Sequence, residues 1–193
     1  MNNTFTYYNK NYESLLFRYN NADTTELHKI FIKYIPAKSS LLDLGFGSGR
    51  DLHFLYNKGY RVYGLDNCKN FINSFSSKNI QVSYTKLPDI DLTSFNIKQF
   101  NSIISIATLM HLTKKQIKET IMNIKTILSK KGIVVISYST ASREKDERFF
   151  EKLDSTFMKK EFEKLGFLEI HTSVLKDGMN RNIDWVTQVF KND

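Results

Sequence analysis

The sequence predicts an α/β fold in which a mainly parallel sheet carries helices on both faces. Three observations predict it. Residues 41–52, LLDLGFGSGRDL, read as a buried strand, a glycine turn and the first turn of a helix. From there to about residue 139, short apolar runs alternate with segments of helical period, the pattern of strand–helix–strand units. Two more strand-like runs close the chain with no helix between them, which predicts an antiparallel edge hairpin.

The elements follow in order. Residues 11–19 place Tyr12, Leu15, Leu16 and Tyr19 at helical spacing. A second helix over 25–34 carries Leu27, Ile30, Phe31 and Tyr34 on one face, and Pro36 ends it. The first strand is 39–44. The helix after the glycine turn runs over 49–57, closed by Gly59. A strand at 61–65, a helix at 68–77 and a strand at 80–84 come next, then a loop or short turn at 89–96. The run FNSIISIA at 100–107 is apolar almost throughout, as suits a central strand covered on both sides. Thr113 caps a long helix reaching about residue 130, with Ile117, Ile121, Ile124 and Leu128 as its core stripe. Gly132 opens a strand over 133–139. SREKDER at 142–148 reads as a charged surface excursion. A helix over 156–165 stops at Gly166, and strands at 167–175 and 184–191 flank a turn at 176–180. No repeat or second domain is evident. The reading is one domain, 1–193, with a helical cap over 1–36 and a core over 37–193.

With 193 residues and 41% hydrophobic content, the chain can fill a full core. No run reaches membrane-spanning length. The polar, aromatic start MNNTFTYYNKNY does not read as a signal peptide. A single cysteine, Cys68, cannot form an internal disulfide, which suits a reducing, cytoplasmic setting. The net charge is +8, mostly lysine. Lys114, Lys115, Lys118, Lys125, Lys130 and Lys131 fall on one predicted helix. They offer a phosphate-tracking face for nucleic acid, but a solvated helix face is the favoured reading, because arginine–aromatic interleaving is missing there. His28, His53, His111 and His171 have no ligand spacing, so no metal is expected.

The glycine turn carries the chemistry. Gly45, Gly47 and Gly49 alternate, giving G-x-G-x-G and not the dinucleotide G-x-G-x-x-G. Asp43 before the turn would repel a pyrophosphate but can pair with an ammonium group. NAD is therefore not expected to bind. Asp66, closing VYGLD, can accept from both hydroxyls of a ribose, as the dinucleotide folds also do.

D-L-G-x-G-x-G resembles motif I of the class I S-adenosylmethionine (SAM) methyltransferases. The resemblance extends over nearly the whole chain. YYNKN at 7–11, GSGRD at 47–51, TLMHL at 108–112 and R-x-x-x-W, here Arg181 and Trp185, look like the corresponding stretches of small bacterial stand-alone members. It implies a seven-stranded sheet of order 3-2-1-4-5-7-6 with an N-terminal helical lid, and a reaction turning SAM into S-adenosylhomocysteine (SAH). It further implies that Asp43, Gly45, Phe46, Gly47 and Gly49 hold the methionine end of the cofactor; Arg50 can touch the cofactor carboxylate or simply pair on the surface. Asp66 would take the ribose. Asn67, Lys86 and Leu87 fall where the adenine lies, and main-chain groups of Ile106 and Ala107 would face the cofactor. Phe46 departs from the family pattern, where a cysteine or alanine is commoner. His111 is the candidate general base. Tyr7, Tyr8, Arg181 and Trp185 are the candidate walls of the acceptor pocket. The short inserts favour a small-molecule acceptor. The alternatives are an RNA or protein methyltransferase using the lysine-rich face, and a non-catalytic SAM-binding protein.

Overall fold

Leu41, Leu42 and Leu44 are apolar on both faces of a short run, and the run becomes the fully buried strand β1, Ser40–Leu44. In the computed structural model, which describes residues 3–141, 143, 146–179 and 181–193, β1 lies in the middle of a seven-stranded sheet. Its companions are β2 (Arg61–Asp66), β3 (Gln81–Tyr84), β4 (Phe100–Ile106), β5 (Leu128–Ser139), β6 (Phe167–Lys176) and β7 (Asp184–Asn192). The order is β3-β2-β1-β4-β5-β7-β6. β1 pairs in parallel with β2 on one side and β4 on the other, and only β7 runs antiparallel, to both β5 and β6. This is the order and mixed character that the resemblance implies.

Alternation along the strands divides the core in two. Leu42, Leu44, Ile103, Val134 and Ile136 face α6 (Lys114–Ile127) and α7 (Ser155–Glu163), meeting Ile117, Ile121, Ile124, Met158 and Phe162. Leu41, Ile104, Ile133 and Val135 face the other way. They meet α2 (Tyr12–Asn20), α3 (Thr25–Tyr34), α4 (Arg50–Asn57) and α5 (Lys69–Ser74) through Leu15, Phe31, Leu52, Leu55 and Phe71. The chain leaves β1 toward β2 and returns from β3 to β4, so the carboxyl ends of β1 and β4 flank a switch point. Open α/β sheets bind ligands there. No described helix is long and apolar enough to cross a membrane.

Four local differences from the sequence reading matter. Residues Asn3–Lys10 form a helix, α1, ahead of the first one expected. Thr4, Tyr7 and Tyr8 sit at helical spacing on it, and both rings pack onto the second core cluster. The long helix starts as expected, with Thr113 and Gln116 in a reciprocal capping box, but it ends at Ile127. β5 begins at Leu128, pairs with Phe100 and shifts register before Ile133, so Lys130 and Lys131 lie in a strand and not on the helix. α5 is four residues shorter than expected, 69–74 against 68–77. The excursion at 142–148 is not simply a surface loop. Ser142, Glu144 and Lys145 lie outside the described residues, but Arg143 and Arg148 are only partly exposed and turn toward the carboxyl end of the sheet.

Candidate active site

The glycine turn joins β1 to α4 with Gly45, Gly47 and Gly49 at φ 84, 54 and 77. A side chain at Gly45 would run into Thr108, and one at Gly49 into the ring of Phe75. These two glycines let the turn lie flat against the segment after β4 and against the α5 end. Gly47 faces differently. The ring of Tyr19, from α2, lies over it, with Cδ2 3.6 Å from where a Cβ would stand.

Two carboxylates flank the turn. Asp43 is 2% exposed, and its Oδ1 has no hydrogen-bond partner among the described residues. Burial, reinforced by the charges of Asp51 and Asp66, pushes its pKa well above the usual carboxylate range. An unsatisfied buried acceptor is costly and calls for a donor. The ammonium of an amino-acid ligand is such a donor, so the turn fits the methionine end of SAM. Asp66 is also raised by burial, although three main-chain N–H groups oppose the rise. Its Oδ2 accepts from Gly47 N at 2.9 Å and its Oδ1 from Cys68 N at 2.8 Å. Each oxygen keeps a further lone pair, enough for ribose hydroxyls.

The remaining cofactor candidates separate. The Phe46 ring is buried in the core, edge-on to Phe75 and against Gly64, so only its main chain can face a ligand. Arg50 forks onto Asp51 through Nε at 2.9 Å and Nη2 at 2.8 Å, and its Nη1 donates to the carbonyl of Tyr19. Burial would raise Asp51, but Arg50 and His28 hold it down at about 2. Asn67 follows Asp66 directly. Lys86, exposed, and Leu87, buried, follow Thr85, whose N–H donates to the Asp66 carbonyl. Ile106 and Ala107 close β4; Ala107 takes φ 59 and donates its N–H to Ser137 O.

A second group of residues gathers beside the turn. His111 ends a 3₁₀ turn, Leu109–His111, after β4. Its Nδ1 lies 2.7 Å from the carbonyl of Phe149, which can only accept, so Nδ1 carries the proton. Nε2 is then the acceptor for the Tyr8 hydroxyl at 3.0 Å. Burial, with smaller contributions from Arg148 and Arg143, lowers the His111 pKa to about 4. Arg148 donates to the same Tyr8 oxygen at 3.3 Å and lies over the rings of Tyr7 and Phe150. Arg181 and Trp185, across the β6–β7 hairpin, both donate to the buried Asp177. Burial would raise Asp177, but those hydrogen bonds pull it well below the usual carboxylate range. Asp23 N donates to Gly178 O, tying the hairpin end to the helical cap.

Sequence reasoning missed Tyr19, Arg143, Arg148 and the carbonyl of Phe149. Four of the six arginines in this lysine-rich chain, Arg50, Arg143, Arg148 and Arg181, gather at this one end. Their rarity was the available signal.

The fold is that of the class I SAM-dependent methyltransferases, and the site has the donors and acceptors to hold their cofactor. Residues 42–136 match the family model of the methyltransferase domain. No curated protein matches the chain. Among solved structures, 1,6-didemethyltoxoflavin-N1-methyltransferase from Burkholderia thailandensis is 12% identical, with 97% of this chain and 87% of that one covered at a TM-score of 0.79. Magnesium protoporphyrin IX methyltransferase from Synechocystis, with bound SAH, is 12% identical over 98% of each chain at 0.75. A SAM-dependent methyltransferase from Mesorhizobium loti is 12% identical, over 85% of this chain and 96% of that one, at 0.68.

Proposed function

We propose that this methyltransferase acts on a small-molecule acceptor, held between the carboxyl ends of β4 and β5 and the N-terminal helices. The observation that carries the reading is the cover. Tyr19 on Gly47 and Tyr8 on His111 close the end of the sheet with the chain's own rings. A compartment walled in this way suits a compact molecule better than a polymer. The lysines divide: Lys114, Lys115 and Lys118 stand at the start of α6 near the end of β4. α6 returns from the end of β4 to the start of β5, which carries Lys125, Lys130 and Lys131 toward the edge away from the glycine turn. Two solved neighbours are named for small acceptors, 1,6-didemethyltoxoflavin and magnesium protoporphyrin IX.

In this reading Asp43 receives the ammonium of SAM, the main chain of residues 45–49 its carboxylate end, and Asp66 its ribose. Asn67, Lys86 and Leu87 border the adenine, and Ile106 and Ala107 line the approach to the sulfonium. The cofactor supplies an electrophilic methyl group. The protein supplies alignment, which is the larger part of such a transfer, together with a route for a proton. Tyr8 takes the proton of an acceptor O–H or N–H and hands its own to Nε2 of His111. His111 is neutral at pH 7 and is held in the right tautomer by Phe149. Tyr7, Arg181 and Trp185 complete the wall and exclude water.

The test is SAH formation from SAM with fractionated cell extract. Turnover in the protein-free, RNase-treated fraction of low molecular mass supports the reading. Turnover confined to RNA or protein fractions overturns it.

A further inference from the structure

Arg143 stands out among the arginines at the carboxyl end of the sheet. Arg50, Arg148 and Arg181 each grip one carboxylate with the same edge of the guanidinium, Nε and Nη2. Arg50 does so on Asp51 at 2.9 and 2.8 Å, Arg148 on Asp146 at 2.8 and 2.6 Å, and Arg181 on Asp177 at 2.9 and 2.7 Å. Arg143 presents that same edge with no partner on it among the described residues. Its Nε and Nη2 are both buried. The plane of its guanidinium lies over Phe150 at 4.6 Å and near Trp185 at 5.9 Å.

A guanidinium whose Nε and Nη2 are buried and unpaired is the costly half of an ion pair. Among the described residues neither nearby carboxylate relieves it, because both Asp146 oxygens are on Arg148 and both Asp177 oxygens are on Arg181. Burial, then the charges of Arg148 and Arg181, push the Arg143 pKa down. Phe150 also packs against the ring of His111 at 4.6 Å, so the guanidinium of Arg143 lies one ring away from the Tyr8–His111 couple.

The geometry points to a methyl acceptor that is an organic acid: its carboxylate docks on Nε and Nη2 of Arg143, and its flat apolar part lies along Phe150 and Trp185. This rests on the small-molecule reading above and narrows it to a chemical class. Planar, two-point recognition of a carboxylate is what an arginine fork does and a lysine cannot.

Trp185 is the only tryptophan of the chain, so its fluorescence reports this compartment directly. The experiment titrates SAH-saturated protein with benzoate, phenylacetate and succinate, and with the amide of each as its neutral twin. At least one acid is expected to shift the emission saturably, and at least tenfold more tightly than its amide. Arg143→Gln and Arg143→Lys are both expected to weaken that acid at least tenfold, with SAH affinity and the melting temperature within error of wild type. Glu144→Gln removes the acid next in sequence and is expected to leave acid binding within twofold. The inference is overturned if no acid is preferred over its amide, if Arg143→Lys binds as wild type does, or if Glu144→Gln alone reproduces the loss. Extract fractionation separates its failure from that of the small-molecule reading. Activity in the low-mass fraction that passes an anion exchanger unretained would sink the acid and keep the small molecule.

Discussion

The hydroxyl of Tyr8 and Nε2 of His111 lie 3.0 Å apart, although 103 residues separate them along the chain. The contact joins the helical cap to the turn after the central strand β4. Tyr8→Phe keeps the ring, and with it the edge-on packing on His111 and Phe71, but removes the proton carrier. The expected outcome is a fall in kcat of roughly 10²–10⁴, the usual weight of a positioned acid–base group, with SAH affinity within twofold. An unchanged kcat would show that the acceptor needs no proton removed by this route.

His111 makes stability depend on pH. Its pKa is about 4 in the folded chain against an ordinary 6.5, because burial disfavours the charged ring. Between those values the unfolded chain binds the extra proton, so stability is full above pH 6.5 and is lost as pH falls toward 4. The loss should approach about 3 kcal/mol. His111→Gln is expected to flatten this part of the profile. Comparing its melting temperatures with wild type from about pH 7 down to about pH 4.5 isolates the histidine from the carboxylates that titrate nearby. Parallel curves would contradict the assignment.

Asp66→Ala is expected to weaken SAM by roughly 1.5–3 kcal/mol, the worth of a charged hydrogen-bond acceptor to hydroxyls. Because Asp66 also accepts from Gly47 and Cys68, the apo protein should melt lower as well. Titration calorimetry beside a melt separates the two effects. A lower melting temperature with intact SAM affinity would make Asp66 a purely structural residue.

Asp43 should release a proton when SAM binds. Its folded-state pKa is raised well above normal by burial and two neighbouring acids, and an incoming ammonium favours the ionised form. SAM affinity should therefore drop as pH is lowered. Calorimetry in two buffers of different ionisation enthalpy would detect the proton. Asp43→Asn is expected to bind SAM at least tenfold more weakly and to show no such proton. Identical proton release in the variant would exclude Asp43 as its source.

The strands and most helices were legible because their signals are local. LLDL before a glycine turn, the apolar FNSIISIA and the capping pair Thr113 and Gln116 each declare themselves within a few residues. The order of the strands was legible only through the family resemblance, since periodicity does not say which strand lies beside which. The α1 helix went unread because its buried face is made of Thr4, Tyr7 and Tyr8, which are polar by composition and become a packing face only against Phe71 and His111. Within the site, Asp43, Asp66 and the glycines follow from spacing. Arg143 does not. SREKDER has the composition of a solvated loop, and an empty fork is visible only once the described carboxylates nearby, Asp146 and Asp177, have been assigned to other arginines. Arg50 shows the converse: a candidate for the cofactor carboxylate is held by Asp51, its neighbour in the chain.

That hold by Asp51 bears on the order of events in a catalytic cycle. Arg50 belongs to the helix that opens the glycine turn, yet its Nη1 grips the backbone of Tyr19, whose ring lies over Gly47. The helical segment just before it carries Tyr8 to His111. One cover thus serves as the gate of two rooms. On the proposed function, a cofactor reaching Gly47 is expected to displace the Tyr19 ring, and the acceptor to bind after the cover has settled again. The expected order is sequential, with the nucleoside entering first and leaving last. Steady-state kinetics would carry that signature, with SAH competing against SAM while the methylated product is a competitive inhibitor against neither substrate.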